Sequence, residues 1–141
     1  MSEPSTPSPS SPTSPPPRRL ARRLGCGAAL VLLLAAGGFA LYVWAALKFN
    51  FSEGERAGYV QKFSKKGWVC KTWEGELAMV SLPGTLAETF RFSVRDAKVA
   101  EVINASVGKR VALSYEQHKG IPTDCFGETD YFVTGAKRVE P

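Results

Sequence analysis

The sequence predicts an all-β domain with one helix, a five-stranded OB-like Greek-key barrel that follows a single N-terminal transmembrane helix. Three observations carry this prediction. Leu24 to Leu47 contains no charged residue. From Arg56 onward, short runs alternate apolar and polar side chains between turn residues, the pattern of half-buried strands. One stretch, "DAKVAEVINASVGK", changes to a helical period between the third and fourth of these runs. A single helix in that position favours the OB barrel over a generic antiparallel sandwich.

The elements follow in order. Met1 to Pro17 is almost entirely Ser, Pro and Thr, with nothing apolar to offset the entropy of ordering, so residues 1–17 read as a disordered tail. Residues 18–48 read as a basic flank and a transmembrane helix. The uncharged run from Leu24 to Leu47 would extend about 36 Å as a helix, enough to span a bilayer with some tilt. Arg18, Arg19, Arg22 and Arg23 precede it and only Lys48 follows directly, which predicts a cytoplasmic N-terminus and an exported C-terminal part. Tyr42 and Trp44 fall near the outer end, where amphipathic rings favour the interface. A cleaved signal peptide, cut near Val43–Ala45, is the alternative, but such peptides have a shorter apolar core. Cys26 precedes the apolar run rather than closing it, which argues against a lipoprotein.

Residues 49–55 read as a linker and 56–141 as the exported barrel domain. The first strand is expected over Arg56–Ser64, with "SKKG" as its turn. A long second strand, Val69–Ser81, places Trp73, Leu77 and Met79 on one face and Thr72, Glu74 and Glu76 on the other. Gly75 inside it suggests a bend that lets one strand serve both halves of the barrel. In "TFRFSVR", Phe90, Phe92 and Val94 point inward and Arg91, Ser93 and Arg95 outward. The helix takes Asp96 as N-cap and stops at Gly108, with Val99, Val102, Ile103 and Val107 on one face. "RVALSYEQ" returns to alternation through Val111, Leu113 and Tyr115, and a polar loop over His118–Glu128 leads to the last strand in "TDYFVTGAKRVE".

The run "FSEGERAGYVQKFSKKGWVCKTWEGEL", with "FSV", "GKRVALSYEQ" and "TDYFVT", resembles a group of small bacterial inner-membrane proteins with no established activity. The resemblance covers nearly the whole part after the anchor. It implies an anchored β-rich domain and nothing about mechanism. Proteins of this group are often labelled 6-phosphogluconate dehydrogenase. The residues reject that label here: there is no G-x-G-x-x-G after a strand, no βαβ repetition, and too little chain for a dinucleotide domain plus a substrate domain.

Charge narrows the function classes. The chain carries +5 overall, of which Met1–Lys48 holds +4 and the remainder +1. The basic pI therefore belongs to the membrane flank and not to a nucleic-acid-binding face, so single-strand nucleic-acid binding suits the fold but not the domain's charge. His118 is the single histidine, and the cysteines lack C-x-x-C spacing, so no metal or other cofactor is expected. No P-loop and no nucleophile–base arrangement is visible. Glu74 and Glu76, on alternate positions of one strand face, invite a glycosidase reading, but a solvated pair opposite Arg91 and Ser93 explains them without chemistry.

The expected function is binding or scaffolding of an envelope protein or ligand, with an enzyme acting on envelope material as the alternative. OB domains usually bind on the face of strands two and three. That face comprises Thr72, Glu74, Glu76, Arg91 and Ser93, with Trp68 covering the barrel mouth and Phe126 in the Lys119–Phe126 loop at the rim. Trp73 is expected to fill the barrel. Cys70 and Cys125 lie in the two loops that border one mouth of such a barrel, so they either form a disulfide or remain two separate thiols.

Overall fold

The computed structural model describes residues 18–140, and the tail read over 1–17 lies outside the described residues. The elements are α1 (Arg18–Lys48), β1 (Ser52–Lys66), β2 (Thr72–Met79), β3 (Thr89–Val94), α2 (Ala97–Asn104), β4 (Arg110–Gln117) and β5 (Tyr131–Arg138). The chain divides into two compact units, through Phe39 and from Ala40 onward. The helix α1, whose last residues belong to the second unit, is apolar, with a mean hydropathy of 2.2 and no buried residue across its most apolar window. Its length and composition suffice to cross a membrane.

The second unit holds a five-stranded sheet in the order β1-β2-β3-β5-β4, which closes on itself through β1 and β4. All pairings are antiparallel except the short parallel contact of β3 with β5. Two sequence expectations change here. The connection between α1 and β1 is shorter than 49–55: β1 already begins at Ser52, paired to Gln117, and Phe51 N donates to Gln117 O at 2.7 Å. Glu53, Gly54 and Glu55 look like linker residues by composition, but backbone pairing with β4 is indifferent to side-chain polarity.

The strand that serves both halves of the sheet is β1, not β2. Residues Ser52–Tyr59 pair with β4 and Gly58–Lys66 with β2. The register between β1 and β2 shifts between Val60 and Lys62, the sign of a bulge. At the shift, Val60 bonds instead to the turn before β4: Gly108 N donates to Val60 O, and Val60 N donates to Lys109 O. β2 spans only Thr72–Met79, and its register with β3 runs unbroken through Gly75. Gly75 is needed for space, because a Cβ there would collide with the rings of Phe92 and Phe63.

Val60, Leu77, Phe90, Phe92, Val94, Val111, Leu113 and Val133 form the core, with Ala100 and Ile103 of α2 closing it. Asp96 caps α2 by accepting from Lys98 N at 2.8 Å. Of the expected helical face, Ile103 is buried and Val99 packs against the core, while Val102 and Val107 are exposed. α2 ends at Asn104, so only one short stripe of it reaches the sheet and Val107 lies beyond it.

Candidate functional site

The register places Ser64, Glu74 and Ser93 side by side on the outer sheet surface, and Lys62, Glu76 and Arg91 beside them. The first row is not open. Glu74 is 6% exposed, and Thr72, Ser93 and Gly127 are also buried. The Glu74 carboxylate accepts from Thr72 Oγ1 at 2.7 Å, from Ser93 Oγ at 2.7 Å and from Glu128 N at 3.0 Å. Thr129 N donates to Ser93 Oγ at 3.1 Å. Gly127 approaches so closely that a Cβ would strike Ser93 and the Phe132 ring. The connection between β4 and β5 therefore lies across the surface where an OB-type ligand was expected, and Glu74 latches it.

This corrects the reading of Glu74 and Glu76 as a solvated pair. Glu76 is half-exposed, with Arg91 Nε 3.9 Å from its carboxylate. Period-two alternation puts both side chains on one face, but it does not say that a loop covers only one of them. Between the rows, Lys62, Ser64, Lys66, Glu74, Glu76 and Arg91 enclose a crevice of about 10 Å³, which is room for one water and not for a substrate.

The other expected site residues gather at the end of the sheet where β1 passes into β2. Cys70 and Cys125 are joined in a disulfide, with Cα atoms 4.9 Å apart, across 55 residues. The bridge ties the loop between β1 and β2 to the connection between β4 and β5. Trp68 does not cover the mouth. It projects into solvent at 101% relative exposure, with Val69 at 96%. Gly67, at φ 129°, turns the backbone into this loop in a conformation that residues with a Cβ rarely adopt. Trp73 does not fill the interior either. Phe92 occupies that position, and the β1 bulge brings Phe63 inward, so Trp73 stacks on Phe63 at the rim, 5.2 Å between centroids and 5° between planes. Phe126 is half-buried, with the Arg95 guanidinium 5.7 Å from its ring centroid.

Two clusters carry no clear sequence signal. His118 is buried, and its Nδ1 lies 3.1 Å from Ala46 O and 3.2 Å from Phe49 O, at the C-terminal end of α1. Its Nε2 lies 3.3 Å from Glu116 Oε2. Tyr42 Oη donates to Gly120 O at 2.7 Å nearby. The histidine thus secures the chain just before β1 rather than a ligand. Arg56 lies over the Phe90 ring at 4.5 Å, beside Tyr115 and Tyr131, and fills the aromatic box these three rings form. Among the described residues, no group of three His, Cys, Asp or Glu side chains is placed to hold a metal ion.

Residues 50–141 match a family described as a domain of unknown function, DUF8785. The chain belongs to that family. No curated protein and no solved structure matches it. The span that matches contains all five strands, α2 and both bridged cysteines, and leaves out α1.

Proposed function

We propose that this chain is a single-pass protein of the bacterial inner membrane that works by binding, with a cytoplasmic N-terminus and an OB-like domain on the outer side. The membrane reading draws on the apolar α1 and on its flank of Arg19, Arg22 and Arg23 against the single Lys48. A disulfide persists in an oxidising compartment, which supports an extracytoplasmic domain. The OB-like reading draws on strand order, closure through β1 and β4, and a helix between β3 and β4. The resemblance to small bacterial inner-membrane proteins points the same way.

The observation that carries the binding function is the Trp68–Val69 tip. Two apolar side chains stand fully in solvent on a loop that a disulfide holds to a second loop. Exposed tryptophan is the side chain most enriched where binding energy concentrates, and a stapled loop loses little entropy on docking. The chain's own loop covers the Glu74 row of the usual OB face, so the proposed contact surface is this sheet end, acting in a complex of the envelope. A photo-crosslinking residue placed at position 68 of the full-length protein in its own membrane should give a discrete adduct. The same residue at Thr134, exposed on β5, should not. No adduct from position 68, or equal adducts from both, would overturn the reading.

A further inference from the structure

Beside the disulfide lies a recess of about 300 Å³ whose charged lining is entirely basic. Lys65 comes from the end of β1, Lys71 from the loop before β2, and Arg95 from the residue after β3. Trp73 and Phe126 form apolar walls, and Cys125 of the disulfide forms part of the rim. Lys65 Nζ stands 5.4 Å from the Trp73 ring centroid, and Arg95 stands over Phe126. The ion pairs among the described residues involve Arg56, Lys66, Arg91 and His118, and none involves these three cations. The nearby acids have other neighbours. Asp96 caps α2, Asp124 lines the neighbouring recess around Trp68, and Glu128 pairs with Lys66 at 3.5 Å.

Three like charges from three separate elements repel one another, and a bound anion relieves that repulsion. We propose that this recess binds a phosphate group on a ligand whose adjoining apolar part lies against Trp73 and Phe126. The inference rests on the reading that this end of the domain binds, and it adds the chemistry of what is bound. A phosphate suits the set better than a single carboxylate. It carries up to two charges and enough acceptor oxygens for one guanidinium fork and two ammonium groups. The aromatic walls favour a phosphate ester over the free ion. Such an ester is either a soluble molecule or an anionic lipid headgroup.

The test uses the full-length protein in lipid nanodiscs. Phenyl phosphate is titrated by calorimetry into discs of phosphatidylcholine. Tryptophan emission is compared between those discs and discs containing phosphatidylglycerol. Saturable binding of phenyl phosphate identifies a soluble ester. No binding there, together with an emission shift in phosphatidylglycerol, identifies a headgroup. Either signal should weaken about tenfold in Lys71→Gln and in Arg95→Gln, the scale expected for loss of one charge-assisted contact. Lys71→Arg should retain it, and Lys137→Gln, exposed on β5, should leave it unchanged. The proposal is overturned if neither signal appears, if both Gln variants behave as the parent, or if Lys137→Gln weakens the signal equally. That failure with position-68 adducts intact would remove the phosphate chemistry and leave the binding surface standing.

Discussion

Replacing Glu74 with alanine removes the acceptor that holds the β4–β5 connection against the sheet. Three donors reach its carboxylate: Thr72 Oγ1, Ser93 Oγ and Glu128 N. Ser93 Oγ keeps a partner in Thr129, at 2.8 Å between hydroxyl oxygens. Thr72 Oγ1 and Glu128 N are left without their acceptor, and Thr72 is 8% exposed. At about 1–2 kcal/mol for each donor stranded, with a cavity added, Glu74→Ala should lose about 3 kcal/mol. For a domain near 100 residues that is a fall of about 12–24 °C in melting temperature. Glu74→Gln keeps the shape and one acceptor oxygen, and hydroxyls can rotate to accept from its amide, so it should lose only about 1 kcal/mol. Glu76→Ala is the internal control. Its partner Arg91 is on the surface at 3.9 Å, and the change should stay within about 0.5 kcal/mol. Thermal melts give the stabilities, and hydrogen exchange at the Glu128 and Thr129 amides reports whether the connection lifts. A Glu74→Ala protein that melts with the parent and still protects both amides would show that the loop is held without the carboxylate, and the latch would be wrong.

The remaining structural predictions concern the disulfide and Gly75. Cys70→Ser with Cys125→Ser releases a loop closed over 55 residues and should lower stability by about 4 kcal/mol on the chain-entropy model, measured by urea unfolding. A loss under about 1 kcal/mol would show that cutting the bridge frees little of the unfolded chain, and the chain-entropy account would fail here. Gly75→Ala drives a methyl into the Phe92 and Phe63 rings and should cost about 2 kcal/mol or more, read from the same melts. Parent-like stability would show that the Phe92 ring moves aside freely.

The local signals in the sequence are those that depend on neighbours along the chain. Uncharged Leu24–Leu47 determines a long apolar helix, because hydropathy and length are properties of the run itself. Asp96 and the changed period after it determine α2, because capping is a contact over two residues. Alternation in β3 separates buried Phe90, Phe92 and Val94 from exposed Arg91, because strand geometry has a strict period.

What only the tertiary structure decided involves partners distant in sequence. The register break at Val60–Lys62 follows from bonds to Gly108 and Lys109, which no local pattern in β1 records. It is this break that turns Phe63 inward beside Trp73 and makes β1 the strand shared by both halves of the sheet. Glu53 and Glu55 read as linker residues until β4 supplies the backbone partners that make them strand. Glu74 and Glu76 are equivalent in the sequence by every local measure. One becomes a buried latch and the other a surface charge because Glu128 and Thr129, more than 50 residues on, lie across the first and not the second. A chain's periodicity states which side chains share a face. What covers that face is set by long-range packing, where the free energy of burial is decided.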